Sequence, residues 1–215
     1  TNNIEANKIS LIWNNIPSQL AKENKKFLYQ TIKDGARARE YESALNWLND
    51  SNLIYKIYNI TKPDFPIKAY NDLSAFKIYI NDVGLLRKMA NLDSRIVIEG
   101  NRLFEEFKGA FTENYVLNML TATLDNVPNY YTFDRHEIDF IIQYKNEIIP
   151  IEVKSSENIN NTSLKIYNDR YNPKIRLRFS MKNLQKDGNL INIPLFMIEY
   201  LSMGTEIFDN LSIGT

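Results

Sequence analysis

No cysteine occurs in these 215 residues, and the single histidine is His136. The first absence excludes disulfides, thiolate metal sites and cysteine nucleophiles, and it accords with a reducing cytoplasm, which is the expected location. The second leaves a histidine-based zinc site or a Ser-His-Asp triad without its parts. An excess of one charge is missing too, since Lys+Arg and Asp+Glu both total 26. With zero net charge, any attraction to nucleic acid has to come from a local patch. No apolar run approaches the roughly 20 residues that span a bilayer, and the N-terminus carries no signal-peptide core, so a soluble protein without a membrane partner is expected. The phosphate-loop pattern GxxxxGK[ST] is absent as well. The chain opens at Thr1 directly in a helical pattern, which suggests that an upstream portion has been removed.

What is present suffices for a sizeable core. The composition is 44% hydrophobic and 12% aromatic, and the length suits two domains. The most informative stretch is the pair of Ile- and Val-rich runs Glu137 to Ile142 and Ile148 to Val153, joined by the polar Tyr144-Lys145-Asn146-Glu147. This predicts an antiparallel hairpin. A turn centred on Lys145-Asn146 sets Tyr144 against Glu147, Gln143 against Ile148 and, counting outward, Asp139 against Glu152. Opposed residues have β-carbons about 5 Å apart, so two carboxylates there repel unless something compensates. Side-chain alternation puts Glu152 and Lys154 on one face. Two carboxylates and an ammonium thus meet at one sheet end, where a hard cation such as Mg²⁺ finds oxygen ligands.

Before the hairpin, Ile4, Ile9, Ile12, Trp13 and Ile16 give an imperfect helical stripe that Pro17 is expected to end, with Ser18 capping a short second helix over Gln19 to Asn24. A helix from Arg37 to Asn49 should bury Tyr41, Ala44, Leu45 and Leu48, and Trp47 also reads as a packing residue. Strands are expected over Leu53 to Ile60 and Ala75 to Ile80, a short helix over Gly84 to Asn91, and a linker over Asn91 to Gly100. Helices followed by a β-ribbon are the order of a winged helix. Its third helix often enters the major groove, which makes Arg37 and Arg39 candidate DNA contacts. Glu40, Glu42 and Asp50 on the same helix weigh against that, and protein contacts are the alternative.

A long helix follows from Leu103 to Leu124, with Phe104, Phe107, Ala110, Phe111, Leu117, Leu120 and Leu124 on its apolar side. Glu113 lies beside that stripe and needs a cation or a partner, unless it sits at the edge and reaches solvent or a lysine. Asn129 to Asp134 reads as a short aromatic strand, Ser155 to Thr162 as a polar loop and Leu164 to Tyr171 as a helix carrying Lys165. Lys174 to Ser180 alternates Lys174, Arg176 and Arg178 against Ile175, Leu177 and Phe179, a strand with one basic face. After the turn at Asp187-Gly188-Asn189, Ile193 to Ile198 reads as the last strand, and the tail after Met203 carries little signal.

Asp139, twelve intervening residues and Glu152-Val153-Lys154, preceded by a Glu-bearing helix, resemble the PD-(D/E)XK or restriction-endonuclease-like superfamily, although Ile138 stands where the family name has proline. The resemblance implies that Asp139 and Glu152 ligate Mg²⁺ or Mn²⁺ with help from the Val153 carbonyl. It also implies that Lys154 orients the attacking water or stabilises developing charge, and that Glu113 adds to the metal site. Lys165, Arg176 and Arg178 become candidate phosphate contacts.

A wider set of motifs extends the match: Ile16 to Phe27, Gly35 to Tyr41, Phe76 to Leu86, Glu137 to Ile141 and Ile151 to Lys154. Together these are similar to the C-terminal half of a prokaryotic family in which an AAA-type ATPase domain precedes a winged helix and a nuclease-like domain of unknown function. That resemblance implies a winged-helix-like domain at 1–92, a nuclease-like α/β domain with a mixed sheet at 100–215, and a missing ATPase module through which the whole protein binds ATP. Two activities follow as expectations: a metal-dependent DNA phosphodiesterase, or a non-catalytic module that binds nucleic acid or protein and regulates the ATPase. No ATPase activity is expected of these residues by themselves.

Overall fold

The computed structural model describes residues 2–21, 26–93, 105–124, 126–156 and 162–201. In chain order the elements are α1 (Asn2–Ala21), α2 (Ala38–Asp50), β1 (Ile54–Ile60), β2 (Asn71–Ile80), α3 (Val83–Met89), α4 (Glu105–Leu124), β3 (Asn129–Phe133), β4 (His136–Tyr144), β5 (Glu147–Val153), α5 (Thr162–Tyr171), β6 (Arg176–Ser180), β7 (Gln185–Asp187) and β8 (Leu190–Pro194). The strands follow the order β2-β1-β3-β4-β5-β6-β8-β7 in a mixed sheet, and the fold is α+β, helical at the start and sheet-based afterwards. The chain divides into two compact units. One contains Thr1–Ile57 with Ala75–Asn114, and the other Tyr58–Ser74 with Tyr115–Thr215.

In the first unit, α1 runs through Pro17 instead of ending there. A proline removes one helical hydrogen bond and is ordinarily costly, but tertiary contacts hold the last turn. Ile12 and Ile16 are fully buried, and the Gln19 amide exchanges bonds with the backbone of Leu28, accepting from its N–H at 3.2 Å and donating to its carbonyl at 2.8 Å. The short second helix expected after Pro17 is therefore the end of α1 as far as Ala21, and residues 22–24 of that expectation lie outside the described residues. Helix α2 buries Tyr41, Ala44, Leu45 and Leu48, the i, i+3, i+4, i+7 stripe its sequence predicts. Trp47 is off that stripe and is 51% exposed, so it is not the packing residue expected.

The first half of α4 is tied to the end of β2 by Asn114. Its side chain accepts from the Ile80 N–H at 2.9 Å and donates to the Ile80 carbonyl at 2.8 Å, with Asn114 fully buried. Asn114→Ala strands both backbone groups, and each unsatisfied buried group costs about 1–3 kcal/mol. The expected loss of stability is about 2–4 kcal/mol, seen as a lower midpoint in thermal or urea unfolding; an unchanged midpoint contradicts this role. The buried side of α4 further on is Val116, Leu117 and Leu120, whereas Phe107 and Phe111 are only half-buried. Phe104, residues 94–100 of the expected linker and the tail after Met203 lie outside the described residues.

In the second unit, β4 and β5 form the expected hairpin. Tyr144 pairs with Glu147, Gln143 with Ile148 and Phe140 with Ile151, and Lys145 takes the positive φ of 52° that closes the turn. Strand β5 then pairs in parallel with β6, and β6 in parallel with β8. Parallel strands are covered on both faces, which explains why all five residues of β8 are buried. The core joins β3 and β4 to α5 through Tyr131, Phe133, Ile138, Ile141, Leu164 and Tyr167. The last strand lies earlier than its sequence suggests. Gly188, at φ 58°, turns a short β7 back onto β8, and the strand stops at Pro194, which has no N–H for a ladder. Residues Leu195–Leu201 wind into a 3-10 helix instead of the strand expected to Ile198.

Candidate active site

The hairpin register runs to Phe140 and Ile151, and one further step sets Asp139 opposite Glu152. There the ladder ends, and the Asp139 side chain takes over from it: its Oδ2 accepts the backbone N–H of Val153 at 2.7 Å. A carboxylate offers about four acceptor sites, so one N–H does not saturate it. Glu152 is 5% exposed, and Lys154 Nζ lies 2.5 Å from its Oε1. That ion pair is the compensation two opposed carboxylates require. Lys154 itself is partly exposed and is held at the strand end by its N–H, which donates to the Phe179 carbonyl at 2.8 Å.

Electrostatics mark Asp139 most strongly. Burial first, and the Glu152 carboxylate second, push its pKa up from 3.8 to about 8, against the opposing pull of Lys154 and the Val153 N–H. Groups poised this way by burial and a like charge are characteristic of functional sites. Asp139 and Glu152 set two carboxylates at one strand end, the oxygen donor type that hard cations take. Among the described residues, no three His, Cys, Asp or Glu side chains group so as to hold a metal ion.

Asp139, Glu152, Val153 and Lys154 are thus brought together. Glu113 belongs to the first unit, half-buried, where its Oε2 accepts the Tyr79 hydroxyl at 3.1 Å. Of the candidate phosphate contacts, Lys165 is exposed on α5, and Arg37 and Arg39 are exposed at the start of α2. Arg176 and Arg178 do share one face, with Arg176 half-buried and Arg178 buried. Arg176 donates to Asn189 Oδ1 at 3.0 and 2.7 Å and to the Leu164 carbonyl at 3.2 Å. Arg178 is 8% exposed, and its Nε donates to Asn192 Oδ1 at 2.8 Å. Sequence reasoning passed over Asn192, whose signal was a lone amide between Ile191 and Ile193 in an otherwise apolar run.

Residues 108–196 match a domain of unknown function (DUF4143) that is typically found with AAA ATPases, and residues 1–96 match another domain of unknown function (DUF8612). Among individual relatives, an uncharacterized protein of Mycobacterium tuberculosis and one of Mycobacterium bovis are each 35% identical over 80 residues, which is 36% of this chain. That stretch is 17% of each mycobacterial protein's length. The crystal structure of protein VC1899 from Vibrio cholerae aligns over 99% of this chain and 53% of its own, with 14% identity and a TM-score of 0.30, a likeness too weak to carry an argument. No helix among the described residues is long and apolar enough to cross a membrane.

Proposed function

We propose that the second unit is a divalent-metal-dependent DNA phosphodiesterase module of the PD-(D/E)XK type, carried by a longer ATP-binding protein whose ATPase domain lies upstream. The observation that carries this reading is the meeting of Asp139, Glu152 and Lys154 at one strand end, joined through the 2.7 Å Val153–Asp139 bond and the 2.5 Å Lys154–Glu152 pair. Asp139, Glu152 and the Val153 carbonyl are the groups that would hold Mg²⁺ or Mn²⁺. When bound, the cation supplies charge neutralisation at a phosphodiester and acidifies water. Burial of Glu152, at 5% exposure beside half-buried Asp139, strengthens the field of the pair. Lys154, partly exposed and paired with Glu152, would supply positive charge for phosphoryl oxygens. The typical company of the 108–196 domain, AAA ATPases, supports the ATP-binding context. In the first unit, Arg37 and Arg39 are exposed beside equally exposed Glu40, Glu42 and Asp50, a mixed surface that favours protein contacts at least as much as DNA.

The test is cleavage of plasmid and branched DNA with Mg²⁺ or Mn²⁺ by wild type, Asp139→Ala and Lys154→Ala. The proposal expects nicking by wild type only; equal residual cleavage by all three rules out the site. A second reading is a non-catalytic module that binds DNA or protein and regulates the ATPase. Its support is the internal balance of the cluster, where Lys154 already neutralises Glu152. DNA binding without metal-dependent cleavage is the result that favours it.

A further inference from the structure

Asp139 and Glu152 do not end the polar content of their face. Glu152 pairs in register with Arg178 on β6, Arg178 with Asn192 on β8, and Asn192 with Gln185 on β7. Residues paired across a sheet project from the same face, so a transverse row of Asp139, Glu152, Arg178, Asn192 and Gln185 crosses five strands whose neighbours are mostly apolar. Asn192 is its node. It accepts from Arg178 Nε at 2.8 Å and from Ser180 Oγ at 2.7 Å, and it donates to the carbonyls of Lys182 at 3.1 Å and Asn183 at 2.9 Å. Arg178 is thereby fixed beside Glu152 and turned away from solvent, with 8% exposure.

An arginine held this way is poorly placed to meet a phosphate, and well placed to act on its neighbour. Asp139 and Glu152 bring two potential negative charges, and Lys154 and Arg178 bring two positive ones within the same corner of the sheet. Burial disfavours the charged form of Arg178, and the Glu152 carboxylate is the first influence to oppose it. We propose that Arg178 is the internal counter-charge of the Asp139–Glu152 pair, a positioning residue acting through Glu152 in place of a cation, and not a phosphate contact. This rests on the metal-dependent reading and refines it: the arginine holds Glu152 ready while opposing entry of a divalent cation into the DNA-free protein. Asn192 keeps the guanidinium in register for that role.

The experiment is Mn²⁺ titration by calorimetry at mildly alkaline pH on wild type, Arg178→Gln and Arg178→Lys, each checked for folding by circular dichroism. Salt dependence of DNA affinity is measured in parallel. Loss of the arginine charge should tighten Mn²⁺ binding by about tenfold or more, the scale on which residues behind metal ligands act. Arg178→Lys keeps the charge and should stay near wild type; Arg178→Met, which also removes the charge, stands as the test if the glutamine variant does not fold, because a phosphate-directed or merely structural arginine has no reason to set Mn²⁺ affinity. The slope of log affinity against log salt should not change in either variant. Loss of structure cannot tighten metal binding, so an increase distinguishes counter-charge from scaffold. Unchanged or weaker Mn²⁺ binding by Arg178→Gln, Mn²⁺ binding by Arg178→Lys displaced from wild type, or a salt slope reduced by about 0.9, the signature of a lost phosphate contact, overturns the proposal while leaving the metal site standing. Absence of Mn²⁺ binding from wild type and Arg178→Gln alike overturns both.

Discussion

Asp139→Asn is expected to stabilise the metal-free protein at neutral and alkaline pH while abolishing cleavage. The folded-state pKa of Asp139 is raised from 3.8 to about 8, with burial as the first cause and Glu152 as the second. Over that interval the folded protein holds a proton that the unfolded chain has released. The favourable contribution of the neutral carboxyl is therefore complete below about pH 4, drains away as pH rises, and is gone above about pH 8. Asparagine resembles the neutral form and can still accept the Val153 N–H. Its advantage over wild type should grow between those limits and level off beyond them. Each unit of upward shift corresponds to about 1.4 kcal/mol. For a chain of this size, one such unit alone raises the melting midpoint by about 3–6 °C. Thermal unfolding of both proteins across the range checks this; a variant less stable than wild type at alkaline pH contradicts it.

Lys154→Met should do the opposite to stability and the same to activity. Removing the ammonium leaves the Glu152 carboxylate, 5% exposed, without its 2.5 Å ion-pair partner. Breaking a fully buried pair costs about 3–5 kcal/mol, and the partial exposure of Lys154 reduces that to about 1–3 kcal/mol. The loss of a positioned charge donor at a reacting centre lowers rates by about 10²–10³-fold. Metal-dependent cleavage should fall by that factor, and added salt should not restore it. An exposed, non-catalytic lysine on the same strand end would show neither effect.

The hairpin was legible because three local signals agreed: β-branched runs, a polar turn of fixed length, and alternation that puts Glu152 beside Lys154. Those signals act over a few residues, so they survive without knowledge of the rest of the fold. Glu113 was visible as a carboxylate beside an apolar stripe, but its observed partner, the Tyr79 hydroxyl, comes from a strand 34 residues away, and no local pattern announces that. The partners of the basic face of β6 were hidden for the same reason. Alternation reports which side chains share a face, not what covers it; parallel neighbours on both edges of β6 drew Arg176 and Arg178 into bonds with Asn189 and Asn192. Pro17 likewise reads as a stop, yet the buried Gln19 amide beyond it offsets the lost backbone bond.

Everything proposed for catalysis depends on the Asp139–Glu152 corner taking a divalent cation. Calorimetric titration of Mn²⁺ into wild type, Asp139→Ala and Glu152→Ala tests it most directly, with DNA present as well as absent. A cation site at this corner gives saturable heat in wild type and loses it in both variants. The same heat in all three proteins, or none in wild type even with DNA, contradicts it.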